Sequence, residues 1–132
     1  MAQTMQFDLV SPERKLASVE ALSVQIPGSE GDMTALPDHA ALVTTLRPGI
    51  LEVATENEIT EYIVTGGFAE ISDTGVTVLA EFAVKKADVT KDQLQAFIDE
   101  AEADLEGAEG PERDEAARRS ADYHELLSRH GA

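Results

Sequence analysis

The side chains in this chain that are best suited to catalysis or metal binding are three histidines and 26 carboxylates. The sequence contains no cysteine. The absence of cysteine excludes disulfides and thiolate metal ligands. A helical zinc pair needs two histidines four residues apart, and His39, His124 and His130 do not have that spacing. We therefore expect no metal site.

Paired carboxylates can act as general acid and base, but most of those in this chain lie on predicted solvent faces of helices. The sequence has no Gly-x-Ser-x-Gly nucleophile motif. The glycines at Gly28 and Gly31 are not followed by the lysine and hydroxyl residue of a phosphate-binding loop. Solvated charge explains the carboxylates better than catalysis does, so we expect no enzyme. A small enzyme that uses the acidic residues would need a carboxyl group of raised pKa in a pocket that the sequence does not predict.

Charge and hydropathy narrow the classes of partner. The chain of 132 residues has a formal net charge of −16, which disfavours contact with nucleic acid or with anionic lipid. No apolar run approaches the ~20 residues of a membrane-spanning helix, and the first ten residues lack the pattern of a signal peptide. We expect a cytoplasmic protein that binds basic protein partners and reaches a membrane only through them.

The first part of the chain, residues 1–86, has the pattern of a β domain. Apolar and polar residues alternate over short runs that are separated by glycine, proline and small polar residues. The Gly66-Gly67 pair predicts a bulge or a close backbone approach. We predict an all-β sandwich or barrel of about ten short antiparallel strands. The predicted strands include residues 5–10, 15–18, 21–26, 50–54, 59–65, 68–71 and 76–82.

The second part, residues 87–132, has the pattern of an antiparallel α-helical hairpin. Thr90 and Gln93 have the spacing of a capping box, and Val89 and Leu94 occupy the positions of a hydrophobic staple. Pro111 suits the first turn of a second helix. Apolar residues follow the cap at helical spacing, at Leu94, Phe97, Ile98, Ala101 and Leu105.

Residues 28–49 are too broken for one strand and too apolar for a slack linker, so we predict a structured loop that contains a short strand. This stretch carries Gly31-Asp32-Met33, Leu36-Pro37-Asp38-His39-Ala40-Ala41-Leu42 and Pro48-Gly49. A second block follows at Gly66-Gly67-Phe68-Ala69-Glu70-Ile71 and Val76-Thr77-Val78-Leu79-Ala80. Together these motifs resemble the bacterial epsilon subunit of the F-type ATP synthase, which is homologous to the mitochondrial delta subunit. The resemblance is strong over about the first two thirds of the chain.

The resemblance implies a non-catalytic subunit of the central stalk, at the cytoplasmic face of the bacterial inner membrane. Such a subunit binds gamma with one sheet face and the polar loops of the membrane c-ring with its end loops, and so couples proton transport to ATP synthesis. The positions that match the family's ring-contacting residues are Asp32 and His39, with Glu30 as a neighbour. Leu42 belongs to the apolar surface of the same loop. Acidic Asp32 would pair with basic side chains of the ring loops, which fixes orientation more than it adds affinity.

The resemblance to the family is looser over the helical hairpin. Some bacterial epsilon subunits bind ATP there, and Asp99, Arg118 and Arg119 match part of that pattern. Glu102 stands where the motif has an arginine, which disfavours ATP as a cofactor. The family's hairpin also contacts the alpha and beta catalytic subunits and restrains ATP hydrolysis, and this acidic hairpin predicts only weak restraint. The alternative to a stalk subunit is a free nucleotide-sensing module whose hairpin moves when ATP binds.

Overall fold

The computed structural model describes residues 3–37 and 40–129, so His39 and His130 lie outside the described residues. The chain divides into two compact units, the first ending at Ala87 and the second beginning at Asp88. The first unit is all β and the second is α-helical. The predicted class, a β-sandwich followed by a helical hairpin, is confirmed.

Eight strands are present in the described part of the chain, fewer than the sequence pattern predicted. Residues 59–65 and 68–71 belong to one strand, because the Gly66-Gly67 pair bends the backbone without ending the strand. The stretch of residues 28–49 contains two whole strands, β4 and β5, where the sequence pattern predicts one. The strands are β1 (Met5–Val10), β2 (Lys15–Ala21), β3 (Ser23–Gly28), β4 (Gly31–Ala35), β5 (Leu42–Thr45), β6 (Gly49–Ala54), β7 (Ile59–Ile71) and β8 (Gly75–Lys85).

The strands hydrogen-bond in the order β2-β1-β8-β7-β6-β3-β4, and β5 pairs with β7 beside that path. All the pairs are antiparallel except β1 with β8, which is parallel and departs from the predicted antiparallel arrangement. The long strands β7 and β8 take part in both layers of the sandwich. The first half of β7 pairs with β6 and its second half pairs with β5.

The bend between the two halves of β7 lies at Gly66 and Gly67, which have φ values of 54° and 101°. Residues other than glycine rarely adopt these angles. A Cβ atom added at Gly67 would lie 2.0 Å from the carbonyl oxygen of Leu79 on the adjacent strand. The predicted close approach is therefore present, and it allows one strand to serve two layers.

The inner faces of the two layers form a single aliphatic core. Alternate residues of β1 and β6 point inward, as the period of two in their burial shows. Phe7 is the only phenylalanine among the largest fully buried side chains of the described residues. Its neighbours in the core include Leu9, Val24, Ile26, Leu51, Val64, Ile71, Val76 and Val78.

The second unit consists of helices α1 (Lys91–Gly107) and α2 (Pro111–Arg129). The predicted capping box is present, because Gln93 N–H donates to Thr90 Oγ1 at 3.1 Å and Thr90 N–H donates to Gln93 Oε1 at 2.9 Å. Phe97 and Tyr123 stack with ring centroids 5.2 Å apart. Neither helix is long and apolar enough to cross a membrane, nor is any other in the described part of the chain.

Candidate functional site

The predicted contact residue Asp32 lies near the start of β4, beside the tight turn from β3. Its carboxylate accepts a hydrogen bond from the Arg47 guanidinium, and the two groups form an ion pair. The Asp32 side chain is 70% exposed, whereas the Arg47 side chain is 29% exposed. Glu30 lies in the turn itself and is exposed. The exposed turn therefore carries two carboxylates, and the less exposed Arg47 forms an ion pair with one of them.

Backbone contacts fix the position of Arg47 relative to the turn. Arg47 N–H donates to the Pro27 carbonyl at 3.0 Å, and Leu46 forms a bridge with Gly28. Leu46 N–H also donates to the carbonyl of Gly67 at 2.9 Å. The Leu46 side chain is buried in the core. The stretch that sequence reasoning treated as one loop is therefore held at its ends by β3 and by the bend in β7.

Leu42 does not lie beside Asp32. It is opposite Ile71 at the start of β5, and it shares the inward face of the sandwich at a partly exposed edge. Arg47 lies five residues further along an extended segment, which corresponds to about 16 Å at ~3.3 Å per residue. The predicted partner-binding residues Glu30, Asp32 and Leu42 therefore form two separate groups, and His39 lies outside the described residues.

The outer face of strands β1, β5, β7 and β8 carries an apolar surface, here called the outer patch (Val10, Val43, Phe68 and Leu79). Phe68 is opposite Leu79, and Leu79 is opposite Val10, so these side chains share one face. Val43 is diagonal to Phe68 and is 63% exposed, while Phe68 and Leu79 are 41% and 37% exposed. Apolar surface of this kind marks protein-binding sites.

The edge of the outer patch is polar and charged. The neighbouring row of the same face begins with Val43 and continues with Glu70, Thr77 and Asp8. The Asp8 carboxylate lies 3.6 Å from Lys15 Nζ. Hydrogen bonding to Ser18, then to Gln6, outweighs burial and lowers the pKa of Asp8. An apolar centre with a charged edge is the usual layout of a protein-binding surface.

In the helical hairpin, polar contacts join α1 to α2. His124 Nε2 and Glu102 Oε1 are 3.0 Å apart, and Arg119 Nη1 donates to Asp104 at 3.3 Å. Arg119 Nε also donates to Glu115 at 2.8 Å, and this bond raises the pKa of the guanidinium. Arg113 Nη1 donates to the last-turn carbonyl of Leu105 at 3.0 Å.

The residues that matched the ATP pattern of the hairpin have separate environments. Asp99 accepts a hydrogen bond from Gln95 at 2.9 Å on the same helix. Arg119 is bound to two carboxylates, and Arg118 is exposed. Glu102, where the motif has an arginine, contacts His124 of α2. The side chains of Glu102 and Arg119 thus take part in contacts between α1 and α2.

A cavity of about 380 Å³ lies where the β6–β7 turn meets the end of β2. Its lining includes the carboxylates of Glu20, Glu56 and Glu58, with Val19 as the apolar wall. The described residues hold no cluster of three His, Cys, Asp or Glu that could bind a metal ion. Nearby, burial raises the pKa of the Tyr62 hydroxyl, and the charge of Glu58 adds to the effect.

The fold and these surfaces define a two-unit protein: a β-sandwich with an exposed apolar outer patch and an acidic turn, followed by a helical hairpin. Residues 4–86 match the family model described as ATP synthase, Delta/Epsilon chain, beta-sandwich domain. The chain belongs to the ATP synthase delta/epsilon family.

Relatives and solved structures agree with this assignment. The chain is 48% identical over 131 residues to the ATP synthase epsilon chain of Fuscovulum blasticum, covering 99% of each chain. It is 60% identical over 101 residues to that of Ruegeria sp. (strain TM1040), covering 76% of this chain and 74% of the relative. A chain in the Euglena gracilis mitochondrial ATP synthase structure of OSCP, F1 and c-ring has a TM-score of 0.73 at 26% identity, covering 95% of this chain and 79% of that one. A chain in the central stalk and c-ring structure from Tetrahymena thermophila shares the fold, with a TM-score of 0.70, 17% identity and 98% of each chain covered.

Sequence reasoning missed two features of the candidate site. The partner of Asp32 is Arg47, and the outer patch includes Phe68 and Leu79. The sequence pattern places Phe68 and Leu79 in strands, but their position opposite each other depends on the register between β7 and β8. The only available signal was that both stand at alternating positions among residues that are otherwise suited to the core.

Proposed function

We propose that this chain is a non-catalytic subunit of the ATP synthase central stalk, where it links gamma to the membrane c-ring. In this role it carries torque between the two and so couples proton transport to ATP synthesis. The rotor assembly would hold it peripherally at the cytoplasmic face of the bacterial inner membrane. The family membership and the named assemblies of its structural neighbours support this proposal.

The outer patch is the observation that carries the proposal. A face with three exposed large apolar side chains on adjacent strands is costly to leave in water, and gamma is the partner that would cover it. The rigid strand pairing beneath the patch would transmit force without a change in shape. Phe68 lies at its centre, between Thr45 and Leu79, so it is the expected anchor of the contact.

The acidic turn at Glu30 and Asp32 would contact the polar loops of the c-ring. His39 belongs to this proposal by its match to the family motif alone. The helical hairpin would contact the alpha and beta subunits only weakly, because Arg113 and Arg119 are already bound within it.

The test is binding of gamma to variants of the full chain. Phe68→Asp should weaken the affinity at least about tenfold, because it places a charge at the centre of an apolar contact. Ile59→Asp is the matched control, since Ile59 is also an exposed apolar strand residue but pairs with β6, away from the outer patch. Equal affinities for Phe68→Asp and the native chain, with both proteins folded, would contradict the assignment of this face.

A further inference from the structure

The ion pair at the acidic turn points to a role for Arg47 that the family motif does not assign. The inference rests on the proposed function, because it concerns the contact between Asp32 and the basic loops of the ring. We propose that Arg47 is a positioning residue: its guanidinium fixes the direction of the Asp32 carboxylate before the partner arrives.

Contacts of its own backbone and of the preceding residue attach Arg47 to the sandwich. Pro48 restricts Arg47 to an extended conformation. The Arg47 N–H donates to the Pro27 carbonyl at 3.0 Å, and the preceding residue, Leu46, is buried in the core. The side chain runs beside Gly49, where an added Cβ atom would come within 3.6 Å of Arg47 Nη1. The backbone of Arg47 is therefore attached to β3, and its guanidinium lies close to Gly49 and Asp32.

Asp32 has the opposite character, because its side chain is 70% exposed. A carboxylate has two oxygens and about four acceptor positions, so the hydrogen bond from Arg47 leaves others directed to solvent. The planar guanidinium restricts rotation of the carboxylate, and this reduces the conformational entropy that a partner must remove on binding. The arrangement suits a cationic side chain that approaches from the solvent side.

The ion pair between Arg47 and Asp32 also lowers the net negative charge of the turn. Arg47 offsets one of the two negative charges at Glu30 and Asp32, so orientation contributes more to the contact than net charge does. Without Arg47, Asp32 would rotate freely beside Glu30, and the two like charges would repel each other. The expected consequence is weaker binding to the ring, with the fold intact.

The experiment measures the affinity of the full chain, in complex with gamma, for detergent-solubilised c-ring. Asp32→Asn should weaken binding about tenfold, and Arg47→Gln about fivefold, the scale of a partly exposed charge contact. Arg47→Gln should cause no further loss in the Asp32→Asn background, because Arg47 acts through that carboxylate. Arg47→Lys should be intermediate, since it retains the charge and loses the planar fork.

The charge-swapped variant, Asp32→Arg with Arg47→Asp, separates positioning from stability. The swap restores an ion pair, so the midpoint of thermal unfolding should equal that of the native chain. It also directs a cation toward the basic partner, so binding to the ring should stay weak. Recovery of binding in the swap would show a structural role and overturn the inference, as would an equal loss from Arg47→Gln with and without Asp32. If Asp32→Asn itself binds like the native chain, the proposed ring contact fails together with the inference. If only Arg47→Gln binds normally, the inference alone fails.

Discussion

At the scale of single residues, Gly67 is a position where the backbone leaves no room for a side chain. Its φ of 101° is unfavourable for other residues, and an added Cβ atom would lie 2.0 Å from Leu79 O and 2.9 Å from Ala80 Cα. Both obstacles are backbone atoms, which cannot turn aside as a flexible side chain can. We predict that Gly67→Ala lowers the free energy of unfolding by about 2 kcal/mol or more, measured by urea denaturation.

Gly107 provides the matched control for that prediction. It is the last residue of α1, and an added Cβ atom would meet nothing within 4 Å. Gly107→Ala should be neutral or should stabilise the helix by up to ~1 kcal/mol. A Gly67→Ala protein as stable as the Gly107→Ala protein would mean that β7 bends without needing glycine.

Asp8, a single residue next to the outer patch, makes the stability of the fold depend on pH. Hydrogen bonds from Ser18 and Gln6 lower the pKa of Asp8 below its ordinary value of 3.8. A carboxyl group of lowered pKa stabilises the fold fully above the unfolded-state value, and this stabilisation is lost as the pH falls through the folded-state value. We predict that Ser18→Ala raises the pKa of Asp8, as measured by NMR titration of its side-chain carboxyl carbon. Ser29→Ala, which removes a hydroxyl from the turn between β3 and β4, should leave the pKa of Asp8 unchanged.

At the scale of elements, the helical hairpin depends on a small number of contacts between α1 and α2. Tyr123 is buried and stacks on Phe97, and it is next in sequence to His124, which contacts Glu102 of α1. We predict that Tyr123→Ala costs about 3 kcal/mol of local stability, because it removes a buried aromatic ring. Hydrogen exchange should show faster exchange of the α1 and α2 amides and unchanged protection of β7 and β8.

Tyr123→Phe is the control for this element, because it retains the stacked ring and removes only the hydroxyl. The loss of local stability from Tyr123→Phe should be less than half of the loss from Tyr123→Ala. Loss of protection in β7 and β8 with Tyr123→Ala would show that the two units unfold together, contrary to this prediction.

The elements also show what the sequence could and could not predict. Alternation located β1 and β6, and the capping box located the start of α1, because each pattern depends on near neighbours. The strand count failed at Gly66-Gly67, since local pattern alone does not distinguish a bend within a strand from a turn between two strands. The parallel pairing of β1 with β8 joins distant segments, and nothing local encodes it.

In the candidate site, too, the sequence predicted what depends on near neighbours and missed what depends on contacts between distant segments. Asp32 and Glu30 were found through a contiguous motif, and both are exposed at the turn. Arg47 was missed as the partner of Asp32, because the pairing depends on how β5 returns to β3 through the bridge between Gly28 and Leu46. Leu42 was grouped with Asp32 by closeness in sequence, and the register of β5 separates them.

At the scale of the whole molecule, the division into two units implies a division of tasks. The first unit has its own buried core and contains the outer patch and the acidic turn. The second unit has its own apolar contacts and an ion pair between Arg119 of α2 and Asp104 of α1. Because the two surfaces of the proposed function lie within one unit, binding to gamma should not require the other.

We therefore predict that a chain ending at Ala87 folds and binds gamma with an affinity within about twofold of the full chain, because the outer patch and the buried core both belong to the first unit. Phe68→Asp in the shortened chain should weaken binding as it does in the full chain, which shows that both use the outer patch. Isothermal titration with purified gamma measures each affinity, and the circular dichroism of the shortened chain verifies its β structure. If the shortened chain is folded but no longer binds, the main contact lies in the helices, and the outer patch must serve a different partner.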